Sequence, residues 1–229
     1  MPAQPSQKSL VAAAEPLAAT RSEGLRADAR HNRDRILEAA REAYAAQGID
    51  VPVTAIARRA GVGVATLYRR FPTRAALITE AFAEQFAQCG AVLDEALDDP
   101  DPWRGFCTLI EKVCAMQAAD RGFTAAFLAR FPDAVDIDGE RARAEEGIAR
   151  LVRRAQEAGQ LRADFHPGDV TLLLLANCGV AEGSPEVSAA ASRRLVGYLL
   201  QSFRAGRTAP LPPPAPLELR RVHQSPHGR

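Results

Sequence analysis

Thr66, Tyr68, Arg69, Arg70 and Arg74 crowd into one short stretch, ATLYRRFPTR, and their types suit the gripping of a nucleic-acid duplex. Hydroxyls and guanidiniums can hold backbone phosphate, and the forked donors of arginine also match a guanine edge. Ala65 is small enough to let the backbone approach bases, and Val64 stands beside it. A helical hairpin with a merely solvated basic face fits the same residues. By spacing alone, both readings stand.

Other chemistries lack their residues. The four cysteines, Cys89, Cys107, Cys114 and Cys178, include no C-x-x-C pair, so no metal site of the usual spacing is expected. Cys107 and Cys114 share a helical face, but two turns separate them by about 10 Å, beyond the roughly 7 Å reach of a disulfide. His223 and His227 lie near the chain end, His31 at a helix end, and His166 before a proline. No Ser/His/Asp set, Cys/His pair, paired carboxylates or phosphate-binding glycine loop can be assembled. The expectation is no enzyme, no metal and no cofactor.

The elements that must position the basic cluster can be read from breakers and apolar spacing. A short helix around Ile56 and Ala57 runs out at Gly61, which can take the left-handed conformation of a helix C′ position. A second starts near Gly63 and stops before Pro72. Two short helices joined by a tight glycine turn form a helix-turn-helix, with Ile56, Val62, Leu67 and Phe71 inward. A first helix over about 30–47 offers Ile36, Leu37, Ala40, Ala43 and Tyr44 as a packing stripe, and its Arg30, His31 and Arg33 could reach phosphate. Thr73 caps a long helix to about Leu97. The D-D-P-D-P run at 98–102 interrupts the chain, and helices follow over about 103–119, 121–131, 138–157, 167–182 and 185–205. The fold class is therefore all-α.

Net charge is only +1, but it is unevenly spread: residues 21–74 hold eleven arginines against six acids, whereas 75–100 hold six acids and no base. A basic head on an acidic body is the footprint of a protein that presents one end to DNA. Residues 1–25 and 208–229 read as a disordered arm and tail, leaving a head over 26–73 and a body over 74–207. No run approaches the roughly 18 apolar residues of a membrane span, and the apolar run at 10–14 is too short for a signal peptide. A cytoplasmic protein with no membrane partner is expected.

The stretch AIARRAGVGVATLYRRFPTRAAL, residues 55–77, resembles the DNA-binding domain of TetR-family transcriptional regulators, and the T-L-Y-x-x-F segment at 66–71 is the specific part. The resemblance covers roughly residues 30–80. It implies an N-terminal three-helix head and a C-terminal helical domain for ligand binding and dimerisation. Tyr68 and Arg74 are then expected on phosphate, and Val64, Ala65, Thr66 and Arg69 near bases. Arg70 belongs to the same surface, and Val53 and Thr54 of the preceding helix touch backbone. Ala55 and Gly63 depart from the family, which usually carries an acid and a serine cap there.

The same resemblance implies a homodimer on a palindromic double-stranded operator, repressing until a small molecule binds the body. The apolar surplus of the last two helices makes them the expected dimer face, with Leu199 and Leu200 in it. Seven of the thirteen aromatic residues fall between 82 and 131. From these comes an expected pocket of Phe82, Phe86, Cys89, Trp103, Phe106, Ile110, Cys114, Phe123 and Phe127, together with Leu174, suited to an apolar ligand. Two rivals remain: a DNA-binding regulator without small-molecule input, and an enzyme built in the helical body.

Overall fold

Strong helix formers separated by small groups of glycine and proline give the chain its division into helices. The computed structural model describes residues 15–128, 137–180, 184–206 and 209–215. Among them are α1 (Glu15–Gln47), α2 (Val53–Arg59), α3 (Val64–Arg70), α4 (Arg74–Ala81), α5 (Ala83–Asp98), α6 (Pro102–Ala119), α7 (Arg121–Leu128), α8 (Ile137–Glu157), α9 (Pro167–Val180) and α10 (Pro185–Phe203). No described residue lies in a ladder strand; an isolated bridge joins Leu161 to Arg204.

Two boundaries differ from expectation. Helix α1 begins at Glu15 rather than near Arg30, so residues 15–25 of the expected arm are helical, while residues 1–14 lie outside the described set. Pro16 does not prevent this, because the first turn has no partner for its missing N–H. The expected single helix from Thr73 to Leu97 is instead two, α4 and α5, meeting at Phe82 (φ −116°, ψ 18°). The helix tilts there and its hydrogen-bond ladder is interrupted, with Phe82 N–H donating to Ile78 O at 3.1 Å and Phe86 N–H to Phe82 O at 3.0 Å.

Caps and glycines act where the sequence placed them. Thr73 Oγ1 accepts from Ala76 N–H at 3.0 Å. Asp101 accepts from the N–H groups of Trp103 (3.0 Å) and Arg104 (3.3 Å) and so starts α6. Gly61 turns the chain between α2 and α3 at φ +64°, a conformation that costs any residue with a Cβ. Gly105 serves by its size: a Cβ there would come within 2.3 Å of Ala96 O, so its absence lets α6 press on α5.

Two buried clusters result. The head cluster gathers Ile36, Ala40, Tyr44, Ile56, Leu67 and Phe71 around α4 residues Leu77 and Ile78, and then takes in Phe82, Phe123 and Ala126. The body cluster gathers Val92, Trp103, Phe106, Ile110, Leu151, Leu173 and Leu200 with their neighbours from α5, α6, α8, α9 and α10. The head core thus extends past residue 73 and takes a wall from α7.

Candidate nucleic-acid interface and body interior

Leu67 (1 % exposed) and Phe71 (0 %) anchor α3 one turn apart on the inner side, which fixes the other side outward. Val64, Ala65, Tyr68, Arg69 and Arg70 are exposed and Thr66 is half-buried. On α2, Thr54 is exposed and Val53 half-buried. Eight of the nine expected contact residues therefore share a surface built from α3 and the start of α2, with Tyr68 reaching furthest among the aromatic rings of the head at 47 % exposure.

The head's arginines divide into two groups. Arg33 pairs with Glu80 at 2.6 Å, and Arg59 with Glu42 at 2.6 Å. Arg35 donates to Ala60 O beside the α2–α3 turn. Arg41 donates to Ala81 O at 3.2 Å, holding the last carbonyl of α4. All four clasp α1 to the short helices or to α4. Arg33 is thereby directed to Glu80, not outward to phosphate as its place in the sequence suggests. Arg58, Arg69 and Arg70, by contrast, have no protein partner among the described residues. Positive charge left over after internal pairing collects beside α3.

Arg74 is the ninth expected contact, and it sits differently. Its guanidinium donates to Ile49 O and lies 3.3 Å from Asp50 Oδ1, bracing the α1–α2 turn. Asp50 is itself 96 % exposed, so that pair is a weak surface one from which a phosphate could draw the guanidinium. Under the same turn the Tyr44 hydroxyl is buried without a partner. Burial pushes its pKa up to about 12, against the opposing charge of Arg74.

The residues expected to line one pocket do not converge. Trp103, Phe106, Ile110, Cys114 and Leu174 belong to the body cluster, Phe82 and Phe123 to the head cluster, and Phe86 packs against the latter. Cys89 touches both clusters, while the Phe127 side chain lies outside the described residues. The rings form two separate strings. Tyr44, Phe82, Phe123 and Phe86 follow one another at centroid distances of 6.1, 6.3 and 5.5 Å. Trp103, Phe106, Phe165 and Phe203 do so at 5.7, 5.5 and 4.8 Å. Spacing along one helix face cannot reveal this division, which falls within α5 between Phe86 and Val92, with Cys89 touching both sides. An open groove of about 470 Å³ lies between α5 and α6, bordered by Val92, Met116 and the Lys112–Glu95 ion pair (2.6 Å); none of the ten borders it.

Sequence reasoning missed a polar layer inside the body. Gln117, Asn177, Ser188 and Ser192 are all buried. Asn177 Nδ2 donates to Cys114 O (3.1 Å) and Gln117 Oε1 (2.9 Å), and Ser192 Oγ donates to Asn177 Oδ1 (2.7 Å). The available signal was a polar residue on each apolar face: Gln117 one turn past Cys114, Asn177 closing a leucine run, and the serines one turn apart on α10.

The expected dimer face also needs amending. Leu200 is buried and Leu199 packs on the body's own core. The outward apolar side chains of the last two helices are Leu172 (51 % exposed), Val187 (61 %) and Tyr198 (57 %), with Ala176 and Gly179 continuing the α9 stripe.

Comparison with known proteins agrees with this layout. Residues 36–81 match the family model described as bacterial regulatory proteins, tetR family, and the match ends with α4. Residues 101–204 match the model of the C-terminal domain of SbtR-like transcriptional regulators. A TetR transcription regulatory protein from Mycobacterium vanbaalenii is 31 % identical, with 79 % of this chain and 99 % of that one covered and a TM-score of 0.47. A TetR transcriptional regulator from Streptomyces coelicolor, SCO0520, is 29 % identical over 76 % and 99 % of the two chains, with a TM-score of 0.47. The ketosteroid transcriptional regulator KstR2 of Mycobacterium tuberculosis is alike in fold, at 16 % identity, 75 % and 94 % coverage and a TM-score of 0.58. No curated protein sequence matches the chain. No helix among the described residues is long and apolar enough to cross a membrane.

Proposed function

Because the chain belongs to the TetR family of bacterial regulatory proteins and is thus a DNA-binding transcriptional regulator, we propose that it is a homodimeric repressor released from a palindromic operator by an uncharged small molecule. The observation that carries the DNA-facing part is the surplus on α3: Tyr68, Arg69 and Arg70 are exposed, and neither arginine has a protein partner among the described residues. Thr66, Val64 and Ala65 supply the approach to base edges, and Val53, Thr54 and Arg74 the flanking backbone contacts. One head reads one half-site, so a second copy supplies the other. Leu172, Val187 and Tyr198 give that copy an apolar face on α9 and α10.

Release requires a molecule that distinguishes two arrangements of the heads. Equal affinity for both would shift nothing, and driving the population from 1:99 to 99:1 takes about 5.5 kcal/mol of differential binding. The tilt at Phe82 is the natural place for the difference, with Arg33 and Arg41 carrying α4 along with α1. Sequencing DNA fragments recovered with the protein supplies the operator. With three or four phosphates neutralised per subunit, the log–log salt slope for a dimer is expected at about −5 to −7, and a slope near zero would sink the proposal. Leu172→Glu with Tyr198→Glu should give monomers by sedimentation.

A second reading, regulation without a small molecule, is favoured by the burial of the two aromatic strings in separate packed clusters rather than around a shared void. Thermal-shift screening with and without operator separates the two. An inducer must stabilise free protein more than the complex, and a screen of uncharged compounds with no such member favours the second reading.

A further inference from the structure

The polar layer of the body has one fixed orientation. Cys114 O is a backbone carbonyl and can only accept, so the Asn177 atom 3.1 Å from it must be the amide nitrogen. Asn177 Oδ1 then takes the Ser192 hydroxyl, and the Gln117 atom facing Asn177 Nδ2 at 2.9 Å must be the oxygen. Thr124 Oγ1 satisfies Gln117's backbone carbonyl at 2.6 Å. Gln117 Nε2, on a residue 0 % exposed, is left without an acceptor. Flipping the amide cannot help, because that would set two NH₂ groups face to face. A buried donor with no acceptor bears its full desolvation cost.

Ser188 stands at the same level. The far end of α10 meets the start of α6 through Phe203, Phe165 and Phe106, and Ser192 meets Cys114. The two helices therefore run in opposite directions, and one turn back along α10 corresponds to one turn forward along α6, which brings Ser188 beside Gln117. Ser188 Oγ is buried and likewise has no partner. Neither Lys, Arg, His, Asp nor Glu occurs among the described buried residues. The buried titratable groups on these helices are Cys114 and Cys178, whose thiols burial pushes up to about 12 and about 11, so both are neutral. A carboxylate or ammonium ion entering here would meet no fully buried charged residue among those described.

We propose that Gln117 Nε2, seconded by Ser188 Oγ, is the recognition point for an uncharged ligand that carries an acceptor oxygen, such as a ketone, ester or lactone. This assignment rests on the reading that the body takes up a small molecule, and it adds the chemical class. The ligand's oxygen completes the layer that Asn177 and Ser192 begin.

The test uses the full chain, without DNA, and three matched probe pairs of rising size: cyclohexanone and methylcyclohexane, acetophenone and ethylbenzene, 2-decalone and decalin. Expected are a ketone-specific shift of the Gln117 side-chain amide in ¹H–¹⁵N spectra and no such shift with its hydrocarbon partner. Gln117→Met should weaken ketone binding about 3- to 10-fold and leave hydrocarbon binding unchanged, with Ser188→Ala weakening it less. The proposal is overturned if no ketone moves that amide, if ketone and hydrocarbon act alike, or if Gln117→Met keeps the ketone preference. Should Gln117→Met fail to fold, the amide spectra of the unaltered chain decide alone. Operator titrations keep the two readings apart. A ketone that shifts Gln117 while the operator stays bound counts against release but upholds this site. A compound without acceptor oxygen that releases the operator and leaves Gln117 unmoved upholds release and overturns this site.

Discussion

Head and body bury similar side chains but differ in how polar side chains join their helices. None of the buried polar residues, Gln117, Thr124, Thr171, Asn177, Ser188 and Ser192, falls in the head helices α1 to α4. There the polar work is done from outside, by arginines of α1 that reach over the short helices to carbonyls and carboxylates. In the body the polar side chains cross the interior and join α6, α9 and α10. A core closed by external clasps holds one shape, which suits a surface that must meet DNA in a fixed register. Each core also holds an unpaired polar atom, the Tyr44 hydroxyl in the head and the Gln117 amide in the body.

The largest expected effects attack the two cores themselves. Phe71→Ala and Phe106→Ala should each cost about 3–5 kcal/mol, measured by denaturant unfolding. The single tryptophan, Trp103, reports only on the body, while far-UV circular dichroism reports on both regions. Since Phe123 of α7 closes the head, the two signals should still coincide in Phe71→Ala; separate transitions would break the comparison into two independent domains.

Next comes the outward surface. Replacing Tyr68, Arg69 and Arg70 together with alanine should lower operator affinity about 100-fold, two contacts or more at ~1–3 kcal/mol each. Stability should stay within about 0.5 kcal/mol of the parent, as read by calorimetry. A comparable loss of stability would mean these side chains belong to the fold of the head and not to its DNA face.

Gly61→Ala sharpens the claim about clasps. It must hold φ +64° with a Cβ, and that Cβ would lie 2.6 Å from an Arg35 guanidinium nitrogen, displacing it from Ala60 O. A loss of about 1–2 kcal/mol is expected, and Arg35→Ala alone should give a part of it. If Arg35→Ala is silent in urea unfolding, the clasp contributes nothing to the head.

The smallest effect concerns an ionic fastening at the far end of the body. Arg162 holds the Asp164 carboxyl well below the usual carboxylate range, and Asp164 Oδ2 accepts from Leu211 N–H at 2.8 Å. A depressed carboxyl contributes fully above the unfolded value of about 3.9 and loses its effect as pH falls through the folded one. Exchange protection of the Leu211 amide should therefore be level from pH 7 to about 4 and decline only below. Loss of protection at pH 5 to 6 would assign the hold to another group.

Much of this was legible from local chemistry. Gly61, Gly63 and Pro72 delimit α3, and Asp101 with Pro102 starts α6, because turns and caps are decided by residues near in sequence. The exposed set on α3 followed from Leu67 and Phe71 one turn apart. What escaped depends on partners distant in the chain. Nothing beside Arg33 announces Glu80, and nothing beside Arg74 announces Ile49. Phe82 and Trp103 look equally apolar, yet one closes the head and the other opens the body. Nothing beside Gln117 in the sequence announces Asn177, whose amide meets it from a helix 60 residues away.

The reach of α7 into the head bears on how such regulators can be recombined. The match to the family's DNA-binding model stops at Ala81, which invites a splice there when a new operator specificity is wanted. Such a cut would leave Tyr44 and Phe71 without the Phe82 and Phe123 rings that complete their cluster. A transplanted head would then expose an oily seam and drag its host toward aggregation. A graft that respects cohesion instead of resemblance must carry α4, Phe82 and the 121–126 segment with it, or recast the recipient's own helix to fill their place.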